Sequence, residues 1–84
     1  MTHDEVIAKI NKVLIDEFEV PVDKIRPEAK INEDLGFDSL DAVDMLVLLE
    51  ESVNTKIDVE KFKQVKTLND VYELVVAIVN DQGN

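Results

Sequence analysis

The segment Gly36–Met45, GFDSLDAVDM, holds the side chains best placed for chemistry in this chain. Ser39 lies where an irregular stretch meets a regular one, with Asp38 before it, Leu40 after it, and Asp41 and Asp44 on the following turn. One role for it is structural: serine is among the best helix N-caps, although Asp38 can take that place instead. A nucleophilic role lacks partners. A serine nucleophile needs an activating base and an oxyanion site; the single histidine is His3, near the N-terminus, and no lysine is adjacent in sequence. Metal chemistry fares no better. For Gly36 to be the sixth residue of a calcium-binding EF-hand loop, the first ligand would be Ile31, which cannot coordinate calcium. His3 with Asp4 is too sparse for a site, and no glycine motif that cradles phosphate occurs. No metal site and no catalysis are expected. A serine that cannot act can still be acted upon.

The elements that would hold Ser39 follow from periodicity. Val6, Ile7, Ile10, Val13, Leu14 and Phe18 share one helical face, with Asp4 and Glu5 in the first turn, and predict a helix over residues 3–18. Pro21 and Pro27 punctuate a segment that runs to about Asp38, with a short turn near Asp23–Arg26. A connection of that length is uncommon in a compact domain and is usually functional or disordered. Val22, Ile25, Ile31, Leu35 and Phe37 are spread along it as anchors, so an ordered, functional loop is expected. Ser39–Val53 has neither Gly nor Pro and predicts a second long helix. Asn54–Ile57 breaks it, and Asp58 caps a short third helix over Val59–Val65. Thr67-Leu-Asn-Asp70 has the spacing of a capping box. It opens a fourth helix whose stripe is Leu68, Val71, Tyr72, Val75, Ile78 and Val79. The expected fold is all-α: a small four-helix bundle of three long helices and one short one, with a long loop between the first two. With 84 residues, one domain over 1–84 is expected. Folding at this size hides only about 60% of the unfolded surface, which leaves no room for a deep enclosed active site.

Charge narrows the partners. With 19 acids against 9 bases the formal charge is −10, which excludes nucleic acid and anionic membranes as counterion-releasing ligands and favours proteins with basic patches. The N-terminus has no basic region ahead of an apolar stretch, and no window approaches a membrane span. A soluble, cytoplasmic monomer is expected. Cysteine is absent, so there is no disulfide and no protein thiol.

The second helix has two apolar sides. Ala42, Met45, Leu46, Leu49 and Val53 fall within an arc of about 100°. Leu40, Val43, Asp44, Val47 and Glu51 occupy the opposite one. A bundle this small can hardly bury both, so Leu40, Val43 and Val47 should be at least partly exposed, ringed by Asp38, Asp41, Asp44, Glu50 and Glu51. Scattered exposed apolar residues are ordinary; three at i, i+3 and i+7 inside a ring of acids resemble a docking site.

At this point the chain resembles the acyl carrier protein family. The core of the resemblance is EDLGFDSLDAVDMLVLLEE, in which Asp-Ser-Leu follows DLG and heads an acidic helix, and the likeness in length and element order covers nearly the whole chain. It implies that a phosphopantetheinyl transferase modifies Ser39 with 4′-phosphopantetheine from coenzyme A, whose terminal thiol carries acyl groups as thioesters. The reactive sulfur then arrives on the cofactor, which reconciles thiol chemistry with the absent cysteine. Partial positive charge at a helix N-terminus suits a phosphodiester; Asp38 and Asp41 oppose it and are assigned to recognition by the transferase or its metal. The family's recognition helix matches Leu40, Asp41, Val43, Asp44, Val47, Glu50 and Glu51, and its acyl-chain space matches Met45, Leu46, Leu49, Ile57, Phe62 and Val71. One departure stands out. The family's third helix is commonly acidic, whereas VEKFKQVK carries Lys61, Lys63 and Lys66. The implied function is a non-catalytic shuttle that delivers fatty acyl chains to fatty acid synthesis enzymes and acyltransferases. Two alternatives stay open: a dedicated carrier for polyketide, special lipid, aminoacyl or peptidyl groups, and an acidic helical adaptor that is never modified.

Overall fold

A computed structural model describes the backbone of residues 2–83 and the side chains of residues 2–80. Three long helices, α1 (His3–Phe18), α2 (Ser39–Val53) and α4 (Leu68–Gly83), and one short helix, α3 (Val59–Phe62), form a small bundle. α1 packs on α2 and α4, and α3 packs on α4. Each long helix contributes one apolar stripe: Val6, Ile10, Val13 and Leu14 from α1, Met45, Leu46, Leu49 and Val53 from α2, and Leu68, Val71, Tyr72, Val75 and Val79 from α4. Burying a side chain of this kind stabilises by roughly 1.5–3 kcal/mol.

The helix starts are set by local hydrogen bonds. Thr2 Oγ1 accepts from the Glu5 N–H at 3.1 Å while the Glu5 carboxylate accepts from the Thr2 N–H at 2.8 Å, a capping box that the periodicity of α1 did not reveal. The Thr67–Asp70 box forms as its spacing predicts, with Asp70 in the place more often held by Glu. The backbone N–H groups of Lys66 and Thr67 donate to the Asp70 carboxylate and hold its pKa below the ordinary value. Asp58 caps α3 by accepting from Glu60 and Lys61.

The loop from Glu19 to Asp38 is laid on the core, but not by all the anchors its sequence suggests. Ile31 and Phe37 are buried, and Ile25 and Leu35 are partly buried against the core. Val22 is 70% exposed, in a 3₁₀ turn at Val22–Lys24 that lies slightly before the expected Asp23–Arg26. Val20 and Ala29 take the anchoring role instead, at 6% and 1% exposure. Ala29 is small enough for the loop backbone to approach α4 closely, and the hydrogen bonds show why that matters. The N–H groups of Leu68 and Asn69 begin a helix and have no partner within it. They donate to the carbonyls of Ala29 and Pro27 at 2.9 and 2.8 Å, while the Ile31 N–H donates to the Lys66 carbonyl at 2.9 Å. An isolated antiparallel bridge between Lys30 and Thr67 results, the one β pairing among the described residues. The same clip explains why α3 ends at Phe62 and not at Val65: Lys66 and Thr67 must be extended to pair with the loop, so the chain leaves the helix through tight turns at Lys63 and Gln64.

Candidate functional site

Three features set the position of Ser39. Phe37 is buried, and its ring lies 4.9 Å from that of Phe18 at the end of α1, which fixes the loop just before the helix. Gly36, at φ 74°, makes the turn into that segment in a conformation that a β-carbon disfavours. Asp38 then serves as the N-cap: its Oδ1 accepts from the Asp41 N–H at 2.9 Å, and Asp41 Oδ2 accepts from the Asp38 N–H at 3.3 Å. Ser39 is therefore the first residue of α2 and not its cap. Its side chain is exposed, and among the described residues its hydroxyl takes part in no hydrogen bond.

Beside Ser39 opens a cleft of about 540 Å³ between the start of α2, the loop and α3. Its walls are mostly apolar and include Ile31, Phe37, Met45, Leu46, Phe62 and Val65. Of the residues matched to an acyl-chain space, Met45, Leu46 and Phe62 line it; Leu49, Ile57 and Val71 do not, and are core residues at 0%, 4% and 0% exposure. Lys63 reaches the cleft wall from beyond α3. No lysine adjoins Ser39 in sequence, yet the fold brings this one to the same cleft. Sequence reading had no signal for that, because it depends on how the α3 segment turns back over the start of α2.

The outer side of α2 carries Leu40 at 74%, Val43 at 49% and Val47 at 46% exposure, with Asp44 and Glu51 exposed beside them. Besides Asp38, two of the acids have structural partners as well. Asp41 is half-buried in the capping box, and Glu50, also half-buried, accepts the Ile57 N–H at 2.8 Å and closes the turn between α2 and α3. Among the described residues no cluster of potential metal ligands occurs, and no helix is long and apolar enough to cross a membrane.

Residues 8–75, which contain this whole arrangement, match the family described as "Phosphopantetheine attachment site". The chain is 35% identical over 75 residues to an acyl carrier protein of Thermosynechococcus vestitus, covering 89% of this chain and 93% of that protein. The chain belongs to the acyl carrier protein family. A further relative, acyl carrier protein 2 of Ralstonia nicotianae, is 34% identical over 79 residues, covering 94% of this chain and 98% of that protein. The crystal structure of an acyl carrier protein from Thermotoga maritima superposes with a TM-score of 0.80, covering 96% of this chain and 94% of that one at 22% identity, and shares the fold. Acyl carrier proteins are carriers, not enzymes, and their prosthetic group is phosphopantetheine. The residues present suit the group: an exposed hydroxyl free of capping duty, its place at the start of a helix, and an apolar cleft beside it.

Proposed function

We propose that this chain, as a single domain and a monomer, carries fatty acyl groups in the cytoplasm on a 4′-phosphopantetheine attached to Ser39, and presents them to fatty acid synthesis enzymes and acyltransferases. When bound, that group supplies the thiol on which acyl groups ride as thioesters. The observation that carries the reading is the division of labour at the head of α2: Asp38 and Asp41 complete the cap, leaving the Ser39 hydroxyl exposed at the mouth of an apolar cleft. Met45, Leu46 and Phe62 offer that cleft to the first part of an acyl chain, and a longer chain would have to part the core at Leu49, Ile57 and Val71. Leu40, Val43 and Val47 form the apolar centre of a docking face, and Asp38, Asp41, Asp44, Glu50 and Glu51 form its acidic rim. Such a rim speeds encounter with basic partners more than it tightens the complex. The phosphopantetheinyl transferase is the first of those partners. Lys61, Lys63 and Lys66 depart from the acidic third helix common in the family and favour a second reading, a carrier dedicated to one special acyl product.

Intact-mass measurement after incubation with coenzyme A and a broad-specificity transferase tests the assignment. One phosphopantetheine should be gained by the native chain and none by Ser39→Ala. No gain, or a gain that survives the substitution, refutes it and leaves the unmodified adaptor. Identifying the acyl species on the protein isolated from its own cell separates bulk fatty acid synthesis from a dedicated pathway.

A further inference from the structure

Among the described residues Lys63 forms no ion pair. It contributes to the wall of the cleft beside Ser39, and among the lining residues it is the one base and Asp38 the one acid. The ion pairs among the described residues are Lys12–Asp16 and Lys30–Glu33, so Lys63 belongs to neither. The rest of the wall is largely apolar, which favours a lysine whose stem lies along it and whose ammonium stays at the mouth. Asp38 is already engaged by the Asp41 N–H.

The charge at this mouth is otherwise unfavourable to an anion. Asp38 and Asp41 flank Ser39, and the partial positive charge of the α2 N-terminus offsets them only in part. A phosphodiester on the Ser39 oxygen adds one more negative charge at that spot. We propose that Lys63 is its counter-ion: it pairs with the phosphodiester and draws the root of the prosthetic arm across the cleft mouth toward α3. A flexible four-carbon stem ending in a compact ammonium suits a phosphate oxygen whose direction varies. Lys61 and Lys66, which do not line the cleft, take no part. The arm of this carrier is consequently held over its cleft at low ionic strength and released from it by salt. This inference rests on Ser39 as the attachment residue.

The test is a cycle in which the prosthetic group and Lys63 are removed separately and together. Apo and holo protein, each with and without Lys63→Gln, are unfolded in urea after intact mass has established loading. The substitution should lower the folding equilibrium constant of the holo form about twofold to fivefold more than that of the apo form, the size of an exposed ion pair. The excess should vanish in about 1 M NaCl, where screening acts within about 3 Å. Lys63→Arg should keep it, and Lys61→Gln should produce none. An equal effect on apo and holo protein, an excess that survives salt, or the same excess from Lys61→Gln overturns the pairing. Failure to load Ser39 appears earlier, in the mass spectrum, and overturns the carrier assignment together with the pairing that rests on it.

Discussion

Asp38 and Ser39 share one capability, a side-chain oxygen that can accept at a helix start, and have divergent fates. Either can cap a helix, and the choice between them decides whether the serine hydroxyl is tied to the backbone or open to an incoming enzyme. The structure gives the cap to Asp38, through a reciprocal pair with Asp41. Ser39 was legible as the proposed attachment residue because its flanks are contiguous and local; Lys63 was not legible beside it, because the two come to share a cleft only in the folded chain. Val47 belongs to the same scale. At 46% exposure on the outer side of α2 it contributes little to the core, so Val47→Glu should fold with near-native urea resistance, within about 0.5 kcal/mol as for other surface changes, while its affinity for the transferase falls in a direct binding assay. Unfolding of that variant would place Val47 in the core.

At the scale of elements, helix starts matter as much as helix faces. The faces of α1 and α4 could be read from spacing, since apolar residues every three or four positions leave one way to bury them, and of the two apolar sides of α2 the one with Met45, Leu46, Leu49 and Val53 is buried. The third helix and the loop obeyed a different constraint. Unpartnered N–H groups at the head of α4 are satisfied by carbonyls of Pro27 and Ala29, and that pairing shortens α3 and makes an anchor of Ala29; Val20 is held at the end of α1, where its N–H donates to the Leu14 carbonyl, while Val22 faces solvent. The local sequence carries no mark of such a clip between distant segments. Thr67 sits at its centre, accepting the Asp70 N–H at 3.2 Å and bridging to Lys30. Thr67→Ala should cost about 1 kcal/mol in urea denaturation, the usual loss for an N-cap. A loss near zero would show that the loop carbonyls hold the head of α4 without the hydroxyl.

The whole molecule combines a compact body with a large charge. Its radius of gyration, 11.6 Å, matches the roughly 12 Å expected of a folded chain this long, as it must if the loop lies on the core. A net charge of −10 on so small a body repels itself. The melting temperature should therefore rise as NaCl or a divalent cation is added, and a melting temperature indifferent to both would mean that the charges are already spaced widely enough to be screened by water alone.

Helix number and order, the buried stripes, the capping box of α4, the net charge and the serine proposed as attachment point were all present in the one-dimensional pattern, because each depends on neighbours within a few residues. The fold alone settled which residue caps α2, which loop residues are buried, where α3 stops, how far the cleft reaches, and that Lys63 shares it with Ser39. Those features depend on contacts between segments distant in the chain, where closing the loop and satisfying its backbone hydrogen bonds outweigh local preference.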